Sequence, residues 1–258
     1  MSSWLDPVRR ALDLAAEPAT FFFRDDDAGW SDDRLFRLLD LFSGHDLPLD
    51  LAVIPRATTP ALAREIRARI QASGELIGLH QHGFAHKNHE TEGRKCEFGS
   101  SRSGAQQERD IESGKALLAE FFGPLVRPIF TPPWNRCTAV TADCLLRLGF
   151  RTLSRDKSAK PFGLAGLQEL PVSIDWFARH KGSRLDLNRV GELIAGAIDD
   201  SEPIGIMFHH ALMDEGERRV AGELLRLLAT NDRARCALML SPAWRPSEVK
   251  PGSPPDHI

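Results

Sequence analysis

The chain has 258 residues, of which 42% are hydrophobic, and its 33 basic and 36 acidic residues give a formal net charge of −3 at pH 7. This length and apolar content suit one large α/β barrel with a buried core. The charge balance excludes the basic field of a typical nucleic-acid binder, and no stretch reaches about 18 apolar residues, the length that a membrane span needs.

The N-terminal segment lacks the apolar core of a secretory signal, and the four cysteines show no CxxC spacing. Cysteines in a chain without an export signal are usually reduced thiols, so we expect a cytoplasmic protein. We expect residues 1–245 to form a single domain. Residues 246–258 carry four prolines and a glycine, which predicts a flexible tail.

Short apolar runs alternate with amphipathic segments along the chain. The first predicted helix begins near Ser31 and ends at Gly44, and the second begins at Thr59, a typical N-cap that precedes a proline. Later helices are predicted around residues 111–122, up to residue 149, and around 190–197 and 220–228. The predicted strands are residues 20–23, 49–54, 76–80, 129–130, 150–153, 167–172, 204–208 and 237–240.

About seven or eight strand–helix units predict a parallel sheet with helices outside it. This number fits a distorted (β/α) barrel of about seven strands, and a doubly wound open sheet is the alternative. No GxGxxG or GxxxxGK[ST] follows a predicted strand, so nothing favours a dinucleotide or P-loop site. Active sites of parallel α/β folds lie at the carboxyl ends of the strands, which makes the polar residues there the candidates.

The first polar cluster is Arg24-Asp25-Asp26-Asp27, directly after a phenylalanine run. Three consecutive carboxylates repel one another, and a divalent cation, Arg24 or a shared proton would relieve that repulsion. The alternative is a cluster that caps a helix N-terminus.

The second cluster is His82 and His86, which are four residues apart. Such histidines meet on one helical turn and can share a metal ion, although a loop of solvated histidines has the same pattern.

The third cluster, Pro132-Pro133-Trp134-Asn135, follows the predicted strand at 129–130. Its indole is suited to stacking on a sugar, and a tryptophan packed under a loop is the alternative. The fourth cluster is His209-His210, at the end of the strand at 204–208. One of these imidazoles should point into the barrel mouth, unless both are structural.

The order of these clusters resembles the polysaccharide deacetylase (NodB-homology) family of carbohydrate esterases. The family pattern is an Asp pair, then H-[ST]-x-x-H, R-P-P-[YW], an Asp-Trp motif and L-x-H. The corresponding segments here are Asp25-Asp26-Asp27, His82-Gly83-Phe84-Ala85-His86, Thr131-Pro132-Pro133-Trp134, Asp175-Trp176 and Met207-Phe208-His209.

The resemblance implies a catalytic metal with Asp27, His82 and His86 as ligands, an open position for water, and Asp26 or Asp25 as the base. A different alignment would make Asp26 the ligand and Asp25 the base. His209 is the expected general acid, with His210 as the less favoured choice and Asp175 as its orienting partner. We expect the substrate pocket and the oxyanion contacts to come from Trp134, Trp176, Pro133 and Asn135.

Two departures from the family pattern concern the site directly. Gly83 stands where the family has Ser or Thr, and Thr131 stands where it has an arginine that pairs with the catalytic aspartate. We expect Arg24 or Arg136 to replace that arginine.

The implied reaction is metal-dependent removal of an N-acyl group, most simply N-acetyl, from an amino sugar or a glycan intermediate. Zinc is the first choice of metal, and Fe, Co, Ni or Mn would also suit two imidazoles and a carboxylate. The alternatives are an amidohydrolase acting on another small amide and a degenerate carbohydrate-binding domain. We expect a small-molecule or oligosaccharide substrate and no nucleic-acid or membrane partner. An oligomer remains open, and the loop at 87–104 is a candidate lid or dimer contact.

Overall fold

The computed structural model describes residues 3–176, 179–180, 183–184, 186–199 and 202–240. The predicted tail at 246–258 therefore lies outside the described residues, and the domain limits stay a prediction. Within the described part, no helix combines the length and the apolar character that crossing a membrane would require.

Nine strands of the described part form one parallel sheet, and two more form a short antiparallel pair. The strands are β1 (Ala19–Ala28), β2 (Leu49–Val53), β3 (Ile77–His82), β4 (Val126–Thr131), β5 (Thr152–Leu153), β6 (Gln168–Glu169), β7 (Ile174–Asp175), β8 (Arg179–His180), β9 (Ser183–Arg184), β10 (Ile204–Phe208) and β11 (Ala234–Cys236). The sheet order is β6-β5-β4-β3-β2-β1-β10-β7, and β11 pairs with the start of β1.

One continuous segment, residues 168–176, joins the two ends of this sheet. The N–H groups of Leu170 and Val172 donate to carbonyls beside β5, whereas those of Ser173 and Trp176 donate to carbonyls of β10. The segment thus leaves one edge and joins the other, and the sheet curls into a distorted (β/α) barrel. The barrel prediction is confirmed, and the open doubly wound sheet is wrong.

Seven helices of the described part accompany the sheet. The predicted cap at Thr59 is present, because its hydroxyl accepts the N–H of Leu62 at 3.1 Å and Pro60 is the first helical residue. The helices are α1 (Asp6–Leu14), α2 (Asp32–Ser43), α3 (Pro60–Ser73), α4 (Gly104–Phe122), α5 (Ala139–Arg147), α6 (Leu187–Asp199) and α7 (Glu215–Ala229).

The sequence analysis missed one helix near the start of the described part and misplaced one strand near its end. Helix α1 was not predicted, although Pro7 in its first turn and the buried Val8 and Leu12 are typical of an amphipathic helix. The last strand lies at Ala234–Cys236, before the predicted 237–240. Residues there turn to the barrel floor, where the N–H of Met239 donates to the buried carboxylate of Asp50 at 2.8 Å instead of to a neighbouring strand.

Alternation along the strands divides the core into two layers. On β1, Phe21 and Phe23 belong to the large cluster between sheet and helices, whereas Phe22 packs inside the barrel with Met207 and Met239. Because successive strand side chains face opposite sides, this assignment fixes the direction of every residue that follows on β1 until the strand becomes irregular.

Candidate metal centre and active site

The two-residue alternation of β1 separates the three consecutive aspartates. Arg24 and Asp26 share the inward face with Phe22, and Asp25 shares the outward face with Phe23. The pairing of β1 with β2 then shifts register between Asp25 and Ala28, and Asp27 has a positive φ of 70°. This bulge turns the Asp27 carboxylate towards the end of β3.

His82 and His86 flank the Asp27 carboxylate. Their Nε2 atoms lie 3.2 Å and 3.1 Å from Asp27 Oδ1, respectively. The expected helical turn is wrong, because His82 ends β3 and the following loop contains left-handed residues at Gly83 (φ 56°) and His86 (φ 54°). The left-handed conformation at His86 returns its ring towards His82, at 5.2 Å between ring centroids.

Among the described residues, these three form a group that could hold a metal ion. Each offers one ligand atom, and the three atoms lie within 4.8 Å of one another. The Nδ1 of His82 lies 3.0 Å from the carbonyl oxygen of Thr131, which can only accept a hydrogen bond. Nδ1 therefore carries a proton, which leaves Nε2, on the side of Asp27, as the ring nitrogen that can bind an ion. The donor set fits a divalent metal.

The electrostatics of these three side chains also favour a cation. Burial opposes the ionisation of Asp27, but hydrogen bonds from His82 and His86 outweigh it and hold the Asp27 pKa below its usual range. Burial likewise lowers the pKa of His82, and contact with Asp27 together with the charge of Asp26 raises it above the usual value. A pocket that draws protons onto His82 favours a cation at the same place.

Asp26 is held by Arg24, as the sequence suggested. Arg24 donates from Nε to Asp26 Oδ1 at 2.8 Å and from Nη2 to Oδ2 at 3.0 Å, and both residues are buried. The same guanidinium donates to Ser154 on the opposite side of the barrel at 2.7 Å. Arg136, the other candidate, instead donates to the backbone of Lys95 at 2.9 Å and does not contact Asp26.

Thr131 stands where the family pattern has arginine. Its hydroxyl lies 2.9 Å from Nε2 of the fully buried His80. Burial and the nearby charge of Arg24 lower the pKa of His80 well below its usual value, so His80 is neutral. Thr131 and His80 are thus partners of each other, while Arg24 reaches Asp26 from β1.

The Pro-Pro-Trp loop bends through two consecutive left-handed residues, Trp134 (φ 56°) and Asn135 (φ 57°). This costly conformation places the Trp134 ring 4.4 Å from the ring of His86 and lets Asn135 accept a hydrogen bond from Arg24 at 2.7 Å. The Asn135 N–H donates to the Pro132 carbonyl, so it is not available to an oxyanion. Asn135 supports Arg24 instead of facing a substrate.

A second indole, Trp30, was missed by the sequence reasoning. It follows β1, its ring centroid lies 4.7 Å from that of His86, and 39% of its surface is exposed. Trp30 and Trp134 thus flank one metal ligand. The only sequence signal for Trp30 is an aromatic residue three positions after Asp27.

His209 follows the inward-facing Met207 by two residues and therefore faces the barrel mouth. Its Nδ1 lies 3.7 Å from Asp175 Oδ1, which is an ion-pair separation and not a hydrogen bond. Burial raises the pKa of Asp175, and the charge of His209 opposes that rise. The two side chains lie close enough for an electrostatic interaction, and the orienting role of Asp175 stays a prediction.

His210 and Asp25 form a separate pair on the outer face of β1 and β10. Nδ1 of His210 lies 2.6 Å from Asp25 Oδ2, and its Nε2 lies 2.6 Å from the Trp30 carbonyl. The Trp30 carbonyl can only accept, so Nε2 carries a proton, and with Asp25 ionised Nδ1 donates as well and the imidazole is charged. Burial lowers the His210 pKa, but Asp25 outweighs it and raises that pKa to about 9. Neither residue occupies the catalytic position that the sequence allowed.

Two further expected substrate contacts lie elsewhere. Trp176 points outward from the barrel and packs against Trp4 and Phe208 between sheet and helices, because it follows the inward Asp175 by one residue. Pro133 is buried, with its ring next to Gly83. Both side chains are therefore packed in the interior.

Glu97, in the loop at 87–104, is the other residue that the sequence reasoning missed. It is fully buried and accepts backbone N–H groups of Phe84, Ala85 and Lys87. Phe98 beside it is also fully buried, in the core that α4 and α5 cover. This half of the loop is therefore part of the folded core and holds the segment that carries His86.

Searches of the sequence against protein-family models and against curated proteins gave no match. Solved structures do match. A candidate polysaccharide deacetylase from Mycobacterium smegmatis is 17% identical, with a TM-score of 0.67 over 88% of this chain and 89% of that one. A family 4 carbohydrate esterase from Streptomyces lividans in complex with acetate is 17% identical, with a TM-score of 0.54 over 89% and 95%.

A family 4 acetyl xylan esterase from Clostridium thermocellum in complex with a cobalt ion is 14% identical, with a TM-score of 0.53 over 85% of this chain and 87% of that one. At these identities the similarity establishes the fold. The chain has the fold of the polysaccharide deacetylases and family 4 carbohydrate esterases, as the order of its motifs indicated.

Replacing His86 with alanine should abolish stoichiometric metal binding, because it removes one of three ligands from an otherwise open site. We expect the wild-type protein to retain about one equivalent of zinc after dialysis, measured by elemental analysis, and the His86→Ala protein to retain almost none. His89→Ala, in the same loop but outside the ligand group, is the matched control and should retain zinc. Full occupancy of the His86→Ala protein would exclude His86 from the site.

The His210–Asp25 pair predicts a pH dependence of stability. The folded-state pKa of His210 is raised to about 9, so its stabilisation is complete below about pH 6.5 and is lost as the pH rises towards 9. We expect the free energy of unfolding to fall across that window by at most about 3 kcal/mol. The double variant Asp25→Asn/His210→Gln should lack this fall in urea titrations, and His45→Gln should keep it. An equal slope in the double variant would contradict the assignment.

Proposed function

We propose that the protein is a metal-dependent deacetylase that removes N-acetyl groups from an amino sugar or a glycan intermediate. One observation carries the proposal: the metal-competent group of Asp27, His82 and His86 lies beside a second carboxylate, Asp26, that a buried arginine holds in place. A pure binding domain has no use for a paired base next to a metal site. One similar structure contains acetate and another is described as an acetyl xylan esterase, which supports acetyl as the acyl group that is removed.

Asp27, His82 and His86 would hold the ion, and their mixed nitrogen and oxygen donors favour zinc, with cobalt as a close substitute. When bound, such an ion supplies Lewis acidity, which polarises the acyl carbonyl and makes water easier to deprotonate. The protein contributes geometry, because the Thr131 carbonyl fixes the His82 tautomer and the bulge fixes Asp27.

Asp26 is the proposed general base. Its two oxygens each accept one hydrogen bond from Arg24, so the carboxylate has a fixed orientation. Each oxygen keeps a further lone pair that can accept a proton from water. Asp25 cannot take this role, because its oxygens accept from the backbone and ring of His210.

His209 is the proposed general acid. Its side chain is partly exposed at the mouth of the barrel, with Nδ1 3.7 Å from Asp175 Oδ1. In this role it donates a proton to the leaving amine. The indoles of Trp30 and Trp134 flank His86 and offer flat faces to a sugar ring or an acyl methyl.

Acetate release from a panel of N-acetylated substrates tests the proposal. The panel should include N-acetylglucosamine, its short oligomers, an O-acetylated xylo-oligosaccharide and a small cyclic amide. We expect release from at least one N-acetyl sugar, loss of release with a chelator, and recovery with added zinc or cobalt. Release from the cyclic amide alone would favour another amidohydrolase activity, and tight sugar binding without any hydrolysis would indicate a binding domain.

Asp26→Asn should separate catalysis from metal binding. We expect it to lower kcat by about 10²- to 10⁴-fold, the usual contribution of a general base, while zinc content stays at the wild-type level. Asp33→Asn, an exposed aspartate at the start of α2, is the control and should leave kcat unchanged. If Asp26→Asn lost its zinc, Asp26 would be a ligand and the assignment of Asp27 would need revision.

A further inference from the structure

The carboxylate of Glu97 lies beneath the loop that joins the two histidine ligands. Its Oε2 accepts the N–H of Phe84 at 3.1 Å, and its Oε1 accepts the N–H groups of Ala85 at 2.8 Å and Lys87 at 3.3 Å. These three donors surround His86 along the chain. A buried carboxylate is costly unless it is fully hydrogen-bonded, and charged acceptors make the stronger bonds, so the loop backbone and Glu97 hold each other in one conformation.

The space that Glu97 fills is the space of a side chain at position 83. A Cβ atom on Gly83 would overlap Oε2 of Glu97 and the ring of Pro133, and Gly83 has a positive φ of 56°. The family pattern has Ser or Thr at this place, and in this loop the Glu97 carboxylate and Pro133 occupy the space that such a side chain would need. The chain therefore combines two linked departures, the loss of a side chain at position 83 and a buried acid from a distant loop.

Glu97 is itself held from the other side. Phe98 is fully buried and forms an isolated parallel bridge with Cys137, and the thiol of Cys96 lies 3.3 Å from the Arg136 carbonyl. Residues 96–98 thus form a fixed strip between the His86 loop and the loop that carries Trp134. Movement of the Glu97 carboxylate would require this strip to leave the core.

We propose that Glu97 is a positioning residue for the metal ligand His86, and that it replaces the Ser or Thr of the family motif. The inference rests on the proposed metal site. Because His86 adopts a left-handed conformation that its own side chain disfavours, the returning turn needs an external constraint. The three N–H donors that converge on Glu97 supply that constraint on both sides of the ligand.

The experiment measures zinc affinity of the folded, metal-free protein by competition with a chromophoric chelator, in four proteins: wild type, Glu97→Ala, His86→Ala and the double variant. We expect Glu97→Ala to lower the affinity by about 10- to 100-fold, as for residues that orient metal ligands. In the His86→Ala background, where the ligand is already absent, Glu97→Ala should change the residual affinity by less than about 3-fold.

Two further variants extend this double-mutant cycle, one conservative and one a control. Glu97→Gln keeps the shape and one acceptor oxygen but lacks the charge, so it should lower zinc affinity by about 10-fold even if Glu97→Ala does not fold. Glu92→Ala removes an exposed glutamate from the same loop and should leave the affinity unchanged. With cobalt bound, the visible absorption of the Glu97→Gln protein should differ from that of the wild type, because the coordination geometry changes.

The outcomes are distinguishable. If the wild type binds neither zinc nor cobalt, the proposed metal site fails and this inference fails with it. If the wild type binds metal but Glu97→Ala and Glu97→Gln bind it equally well, only the positioning role is overturned. An equal loss of affinity with and without His86 would also overturn it, because Glu97 would then act on the whole fold and not through His86.

Discussion

Three carboxylates in a row at the end of a buried strand must each find a different counter-charge, and this constraint shapes the whole mouth of the barrel. Alternation sends Asp25 outward to His210 and Asp26 inward to Arg24, and the bulge sends Asp27 to His82 and His86. Without the bulge, Asp27 would face outward like Asp25 and two acids would compete for one histidine. The local irregularity therefore separates a structural ion pair, a paired base and a metal ligand within three consecutive residues.

Arg24 connects these elements across the interior. It donates to Asp26, to Ser154 beyond β5, and to Asn135 in the tryptophan loop, although it is completely buried. A guanidinium has five donors in a rigid plane, so it can serve several strands at once where a lysine could not. The arginine missing at Thr131 is thus replaced by one that starts from the same strand as the base, two residues earlier and on the same face.

Much of the fold could be predicted from the sequence, because strand ends and helix caps are local signals. The strand at 204–208 and the cap at Thr59 are where the residue pattern placed them. The direction of individual side chains was harder: Trp176 and His210 differ from their inward neighbours by one position, and a one-residue error in strand phase reverses the face. The left-handed turn at His86 and the support from Glu97 depend on contacts between distant loops, which no local pattern encodes.

The placement of Trp30 and Trp134 on either side of His86 has an optical consequence. An indole's fluorescence responds to the charge and the metal ions within a few ångströms of it, and these two rings lie 4.7 Å and 4.4 Å from the imidazole by their centroids. A paramagnetic ion such as cobalt held by His86 would quench their emission, whereas Trp4 and Trp176 pack against each other in the helix-covered core. The protein thus carries an intrinsic reporter of its own site occupancy, readable without a label and before any substrate is known.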